Sequence, residues 1–531
     1  MDFVKLVTGA GMAEVDRRTI AGGTPGAVLM ERAGQEVFNV IAERWPDPAG
    51  MQAVVVCGGG NNGGDGFVVG RLLHRAGVQT RVFLAAARPA PEGDAGLHLR
   101  RLEGEEGVAV ESAAAEKDLA ALTAALADAD LAVDALLGTG LSGSPRAEAA
   151  RVIETLNRSG VPVIAVDLPS GLESGTGRVH GACVQAVVTV TFGLPKVGHL
   201  FYPGRARCGD LRLVEIGFSP EAVAAVEAPA LLLTEDRMAG LIPVRPGDAH
   251  KGTCGSVAVV AGSLGMTGAA VLAAEAALAT GAGRVTLGVP ASLHDLVAAK
   301  VTEVMTRPLP EVRQRRCLAL RGLGEVLALA SGADCLALGP GLGRNRQTGE
   351  LVRRLLPRVA APLVLDADGL FALAGNTAVL KERRAPSVLT PHPGEFARLT
   401  GAAPGAIAED PLGLAGRFAL EHGVVLVLKG APTVVAWPDG RRLVNPTGNA
   451  GMATAGAGDV LTGAIAGLIA QGVAPDLAAC LGVFLHGRAG DLARDRLGEW
   501  GMVAGDLRRL LPQAILDTWT AGRGRPFGGG G

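Results

Sequence analysis

Acidic side chains flank glycine-rich turns at several points in this sequence, and each turn comes after an apolar run. VVVCGGGNNGGDGFVVG (54–70) contains Gly58-x-Gly60-x-x-Gly63, with Asn61, Asn62 and Asp65 among the glycines. VDALLGTGLSGSP places Asp134 before a second small-residue loop, Gly138–Ser144, and VIAVDLPSG places Asp167 before Ser170 and Gly171. A strand, a glycine loop and a helix aim backbone N–H groups at an anion, so the first motif suits a phosphate-bearing ligand. Taken singly, it also fits a tight β–α turn with no ligand, and each Asp fits a helix N-cap. Three such acids at three strand ends read instead as one site, because strand C-termini in a doubly wound sheet share a crevice. The strand TRVFLAAARP offers no acid for an adenosine ribose, which argues against hydride-carrier binding, and no Gly-Lys-Ser/Thr follows to make a Walker A loop.

The second half carries its own set. In NAGMATAGAGDVLTG (449–463), Gly456-Ala457-Gly458-Asp459 precedes an apolar helix. Glycines there expose N–H donors to developing negative charge, and the aspartate can move a proton beside them. An ordinary N-cap is the alternative for Asp459 alone. HKGTCGSVAVVAG (250–262), ALGPGLG (337–343), LDADGL (365–370), LTPHPGEFARLTG (389–401) and VLKGAPTVV (427–435) bring Asp366, Asp368, His392, Glu395 and Lys429 near further strand ends. His392 alone would fit a structural role and Lys429 a solvated charge. Their joint placement favours a nucleotide and substrate cleft.

These residues need a framework of strands and helices in alternation, an α/β pattern with parallel sheets. Strands are expected at Ala53–Cys57, Arg81–Ala85, Leu131–Asp134, Val161–Asp167 and Val187–Phe192, with a short one at Asp210–Ile216. Helices are expected at Gly66–Ala76 and Glu116–Ala127. After a seam at Gly217–Pro229 the pattern restarts with strands at Val257–Ala261, Arg284–Val289, Cys335–Leu338, Pro362–Leu365, Ser387–Thr390 and Val424–Leu428. A hairpin is expected over Pro432–Asn445, with Pro438-Asp439-Gly440 as its turn. Ala/Leu-rich helices fit Gly268–Thr280 and Gly458–Gln471. The domains are therefore placed at 1–220 and 230–515, with a disordered tail over 516–531.

The 531 residues, 48% apolar, supply two cores. A net charge of -2 without a basic stripe gives no sign of nucleic-acid binding. No stretch of about 18 apolar residues spans a membrane. The N-terminus lacks the apolar core of a secretory signal, and the seven scattered cysteines form no zinc or disulfide spacing. A cytoplasmic protein is expected, and a homo-oligomer.

The N-terminal motifs LMERAG (29–34), NNGGDGF (61–67), DALLGTGLSG (134–143) and DLPSG (167–171) resemble the NAD(P)H-hydrate epimerases over residues 1–220. The resemblance implies a Rossmann-like three-layer domain that takes the hydrate of NADH or NADPH as substrate. It implies a pocket lined by Asn61, Asn62, Gly63, Gly64 and Asp65, by Gly138, Thr139, Gly140, Leu141, Ser142, Gly143 and Ser144, and by Asp167. It also implies a potassium ion on Asn62, Asp134 and Ser170, oxygen ligands that suit a hard cation. Asp167 is the first choice for a catalytic general acid/base.

Over residues 230–515, HKGTCG, GSLGMTGAA, GPGLG, TPHPGE, KGAPT and NAGMATAGAGD occur in the order found in the ribokinase-like superfamily, and resemble its NAD(P)H-hydrate dehydratases. This implies a ribokinase-like three-layer domain. It implies substrate at Gly268, Ala269, Gly341, His392 and Asp459, and nucleotide at Lys429, Gly430, Ala431, Pro432, Thr433 and Gly458. Asp459 would be the catalytic base, ADP the co-substrate giving AMP and phosphate, and Mg2+ the expected metal, with no ligand for it evident. The competing interpretations are a small-molecule kinase fused to a non-catalytic dinucleotide-binding module, a ligand-gated interaction module in the first half, and, more weakly, a simple NAD-dependent dehydrogenase.

Overall fold

The computed structural model describes residues 3–86 and 91–523. The chain divides into two compact units, Lys5–Ala230 and the residues from Leu231 onward together with the first four.

In the first unit, seven parallel strands lie in the order Val110–Ser112, Gln79–Leu84, Gln52–Cys57, Leu131–Ala135, Val163–Val166, Val188–Phe192 and Asp210–Val214. The inner strands are apolar along their length because both sheet faces are covered. Val54, Val56 and Phe83 face the helices Leu119–Ala127 and Ala147–Ser159. Val55 and Val82 face the opposite helix, Asn61–Arg75, where Gly66 and Gly70 let it approach. The strand order reverses at Gln52–Cys57, which pairs with both Gln79–Leu84 and Leu131–Ala135. A ligand crevice belongs at the C-terminal edge of that strand.

The helix after Cys57 starts at Asn61 and not near Gly66. The NNGGD residues are thus its first turn, and the loop proper is Gly58–Gly60. Glycine's low helix propensity hides this in the sequence. The turn forms because it must pack closely: any Cβ at Gly63 would collide with the Gly58 carbonyl. The strand Val110–Ser112 was not expected, since two half-buried residues and one exposed one leave no apolar signal. The segment 217–229 contains a short helix, Pro220–Ala225, whose N-cap Ser219 accepts the Ala222 N–H at 3.1 Å.

The second unit is built on a larger sheet. Seven parallel strands run Val425–Leu428, Ser387–Leu389, Leu363–Leu365, Cys335–Leu338, Ser256–Val260, Arg284–Pro290 and Met305–Leu309. Thr433–Ala436 and Arg442–Asn445 extend the sheet as the expected hairpin, with Val434 opposite Val444. Thr267–Ala279 and Ala457–Ala470 pack directly together through small residues, beside Pro475–Leu497 and Ala504–Arg523.

The last of these helices corrects the expected tail. Residues 516–523 continue the helix, with Thr518 fully buried. The expectation rested on the glycine-rich run GRGRPFGGGG (522–531). Residues 524–531 lie outside the described residues.

Candidate active sites

In the first unit, the ends of three strands open into one cavity of about 1140 Å³. Asn61, Asn62, Asp65, Asp167, Ser144 and the run Gly138–Ser142 line it. Gly63, Gly64 and Gly143 are not on its wall. Gly63 and Gly64 are buried, packed against the Gly58 carbonyl and Met30 respectively. No side chain caps the helix Asn61–Arg75, leaving its first N–H groups for an anion.

Asp167 directly follows the strand Val163–Val166, at φ +63°, a left-handed conformation that aspartate tolerates better than most residues. Its backbone carbonyl accepts from His199 Nε2 at 2.9 Å, while His199 Nδ1 accepts the Lys196 N–H at 3.1 Å. Burial and the nearby Lys196 push the His199 pKa down to about 3, so the ring is a neutral brace. Lys196 Nζ donates to Asp167 Oδ1 at 2.5 Å and to Thr191 Oγ1 at 2.8 Å, and Thr191 donates to the same Oδ1 at 2.9 Å. Lys196 is 0% exposed and Asp167 9%. Burial opposes the Asp167 charge, but the ammonium outweighs it and holds the carboxyl below its usual range.

Asn62, Asp134 and Ser170 also converge. Ser170 Oγ donates to Asp134 Oδ1 at 2.6 Å and its N–H donates to Oδ2 at 2.8 Å. Asn62 Nδ2 donates to the Leu137 carbonyl at 3.2 Å, and the Leu137 N–H donates to Ser170 Oγ at 2.8 Å. Asp134 is fully buried with no ion-pair partner among the described residues. Burial raises its pKa to about 6, against the Ser170 hydrogen bonds. A buried carboxylate beside hydroxyl, amide and carbonyl oxygens is a donor set that fits a hard monovalent cation.

In the second unit, adjacent strand ends bring together Asp366, the segment from Thr390 to Glu395, and Lys429. Asp366, 1% exposed, accepts from Lys429 Nζ at 2.9 Å and from Thr462 Oγ1 at 2.8 Å. Burial works against the Lys429 charge, but Asp366 and Glu395 raise its pKa overall. The next residue, Ala367, has φ +49°, strain concentrated beside the acid.

Gly456, at φ +90°, caps the helix that carries Gly458 and Asp459, a conformation that would strain any other residue. Burial first, then the Asp366 charge, raise the Asp459 pKa to about 7. The Lys429 ammonium lies 3.1 Å from where a Cβ on Gly458 would be. Gly430 and Thr433 close a turn, N–H to Oγ1 at 3.3 Å, around Ala431 and Pro432. His392 caps the helix Pro393–Thr400, its Nδ1 accepting the Gly394 N–H at 3.0 Å, and Glu395 reaches back to the His392 N–H at 2.9 Å. Gly341 lies against Ala269, with open space beyond Gly268.

Several of these participants were not anticipated. Lys196 follows the strand Val188–Phe192 in FGLPKVGH, so the strand-end rule applied to Asp167 would have found it. Asp16, which also lines the cavity, lies on the helix Gly9–Ala21 before the first of the seven strands and has no local signal. The anchoring of Lys429 by Asp366 and Thr462 depends on long-range contacts.

Comparison with known proteins follows the same division. A family model described as YjeF-related protein N-terminus matches residues 26–198, and one described as NAD(P)H-hydrate dehydratase matches residues 257–513. A Bifunctional NAD(P)H-hydrate repair enzyme Nnr from Moorella thermoacetica is 46% identical over 512 residues, 96% of each chain. One of the same description from Escherichia coli is 36% identical, over 92% of this chain and 89% of that one. Among solved structures, an ADP/ATP-dependent NAD(P)H-hydrate dehydratase from Bacillus subtilis, co-crystallised with ATP and Mg2+, is 32% identical, covers 54% of this chain and 97% of its own, and has a TM-score of 0.47.

Proposed function

The chain belongs to the bifunctional NAD(P)H-hydrate repair enzymes, and we infer that its two units divide the repair between them. The first unit interconverts the R and S hydrates of NADH and NADPH. The second dehydrates the S hydrate back to NADH or NADPH, converting ADP to AMP and phosphate. The observation that supports this reading is that one chain holds two chemically distinct clusters of functional groups. One forms the charged acid–lysine wall of a large cavity, and the other sets an acid of neutral pKa at a glycine-rich helix start.

In the hydrate, the added hydroxyl sits on the ring carbon beside the ring nitrogen. Loss of that hydroxyl makes a cationic ring, and readdition of water on the other face gives the epimer. In the first unit the helix start at Asn61 receives the dinucleotide phosphates, and the anionic Asp167 faces the ring as its charge becomes positive. Asn62, Asp134, Ser170 and the Leu137 carbonyl would hold potassium, which would supply the charge that buried Asp134 lacks.

In the second unit, Asp459 takes the ring hydroxyl proton. The freed oxygen attacks the terminal phosphorus of ADP as the bond to AMP breaks. The ring nitrogen's lone pair then expels phosphate, a better leaving group than hydroxide, and loss of the neighbouring C–H proton restores the double bond. Lys429 and the N–H groups of Gly456–Gly458 balance the phosphoryl charge, and the turn Gly430–Thr433 holds the nucleotide. Gly268, Ala269, Gly341 and His392 border the substrate. Magnesium would arrive on the nucleotide phosphates and neutralise them. Among the described residues no group of three His, Cys, Asp or Glu could hold a metal.

The test uses purified protein and a mixture of both NADH-hydrate epimers, following reduced-nicotinamide absorbance with ADP, with ATP and without nucleotide. Full recovery with ADP is expected. Recovery of the S fraction alone, beyond spontaneous epimerisation, would remove the epimerase assignment. A stable phosphorylated product would replace dehydration with a kinase reaction.

A further inference from the structure

Asp16 reaches the first unit's cavity from the helix Gly9–Ala21, which carries none of the glycine motifs. It lines the same cavity as Asp65, Asp167 and Lys196. Three carboxyls therefore face one ammonium, and that ammonium is committed. Lys196 bonds Asp167 and Thr191, so Asp167 is paired. Neither Asp16 nor Asp65 has a hydrogen bond or ion pair to its carboxyl among the described residues. Burial and the fixed Asp167 anion both work against further negative charge, so these two carboxyls hold their protons more tightly than usual.

We propose that Asp16 and Asp65 are the catalytic proton-transferring carboxyls of the epimerase reaction, while Asp167, fixed on Lys196, serves as the permanent anion beside the ring. This rests on the epimerase reading of the unit. In the forward step the ring nitrogen's lone pair forms a C=N bond and the C–O bond breaks, both its electrons leaving with oxygen. The protonated carboxyl of Asp65 supplies a proton, so the hydroxyl departs as water. A water on the opposite face forms the new C–O bond, the C=N electrons return to nitrogen, and the ionised carboxyl of Asp16 takes the water's extra proton. Proton exchange with water in the cavity resets the two carboxyls, and no other reactant is consumed.

The electrostatics agree with this division. Burial first, then the Asp167 charge, raise the Asp16 pKa to about 6 against the pull of Lys196. The same causes, in the same order and joined by Asp16, raise Asp65 well above the carboxylate range. Asp65 thus holds its proton more tightly than an ordinary carboxyl, and Asp16 gives its own up more readily than Asp65, the pairing that proton transfer in both directions needs. The charged groups facing Asp16 are Asp167, Lys196 and Asp65. On its own helix, Glu14 pairs with Arg17 and Arg18 on the exposed side. From the neighbouring segment, Lys5 is engaged by the carbonyls of Val223, Ala224 and Val226. Asp94, Arg146 and Glu148 also line the cavity and carry its remaining charges.

The experiment measures R-to-S conversion by the full-length enzyme against pH for wild type, Asp16→Asn, Asp16→Glu, Asp65→Asn and Asp167→Asn. Dehydration of the pure S hydrate serves as an internal check on the second unit. Wild-type kcat/KM is expected to fall about tenfold per unit below about pH 6, as Asp16 takes up a proton. Asp16→Asn should lower kcat by about 10²-fold, leave KM within about threefold and abolish that acid limb. Asp65→Asn should lower kcat similarly and keep the limb. Asp16→Glu should restore part of kcat together with the limb, and it keeps the test open if the asparagine variant fails to fold. Asp16→Asn with near wild-type kcat and an unchanged limb would overturn the proposal. If Asp167→Asn were inactive in that case, the epimerase reading itself would stand. Wild-type protein that does not exceed spontaneous epimerisation would overturn that reading, and the proposal with it.

Discussion

Replacing Lys196 with methionine isolates what the buried pair does. The side chain keeps its approximate length and loses its ammonium, leaving the Asp167 carboxyl with only the Thr191 hydroxyl at 2.9 Å. Breaking one side of a buried pair costs about 3–5 kcal/mol, because the remaining charge has neither water nor partner. Asp167→Asn falls in the same range, since it strands an ammonium of 0% exposure. For a unit of this size, ~2–4 °C per kcal/mol converts either loss to roughly 6–20 °C in melting temperature. The double variant Lys196→Met/Asp167→Asn removes both charges and should recover most of that loss. Asparagine is the choice at 167 because it tolerates φ +63°. Scanning calorimetry of the full chain reads the first unit's transition, and R-hydrate consumption reads its chemistry. All three variants should epimerise about 10²–10⁴ times more slowly, while S-hydrate dehydration is unchanged. Losses that simply add in the double variant would refute the electrostatic coupling. A double variant within about tenfold of the wild-type rate would refute the pair's part in catalysis. The pair also sets a pH sign. Because the folded Asp167 carboxyl titrates below its unfolded value, its stabilisation is complete above about pH 4 and is lost as pH falls through the folded value.

Asp459→Asn should abolish dehydration of the S hydrate and leave epimerisation intact; equal loss of both, measured on separated epimers, would count against two independent sites. With Asp459 titrating at about 7, the wild-type dehydration rate should climb as pH rises toward 7 and level off above it. Lys429→Met should move that limb to higher pH, since the ammonium it removes favours the Asp459 anion. Exchanging potassium for tetramethylammonium should weaken R-hydrate turnover without slowing dehydration, and Ser170→Ala should reduce the potassium effect; both are read from the same two rates.

The strands that carry the sites were legible because their signal is local. Runs such as AVVVC and LAV are apolar throughout, as both faces of each strand are buried. Topology alone then gathers their C-terminal ends at one edge of the sheet, where Asp65 and Asp167 line the cavity and Asp134 lies buried beside Ser170. What stayed hidden was of two kinds. Glycine-rich NNGGD reads as a loop by propensity, yet forms a helical turn because the Gly58 carbonyl requires a residue without a side chain at 63. The other hidden features are juxtapositions. Nothing near Asp16 in the sequence says that it shares a cavity with Asp167, and nothing near Lys429 says that its ammonium belongs to Asp366. The left-handed backbone at Asp167 and Ala367 is equally silent, since neither residue type announces it.

The two units use different folds of strand and helix but share one electrostatic device. In each, a lysine is bonded to one aspartate, Lys196 to Asp167 at 2.5 Å and Lys429 to Asp366 at 2.9 Å. In each, a second aspartate nearby holds its proton more tightly than usual, Asp16 to about 6 and Asp459 to about 7. Two aspartates beside one ammonium cannot both be neutralised by it. The better-placed carboxyl takes the lysine and becomes a fixed anion, and its charge, together with burial, raises the pKa of the other. A lone buried aspartate would gain a raised pKa from burial alone, but without the Asp167 anion that a ring turning cationic needs or the Lys429 ammonium that a phosphoryl group in transfer needs. A lone lysine–aspartate pair would provide the charge but hold no proton to give near pH 7. Both are needed where one site must stabilise developing charge and move a proton in the same step.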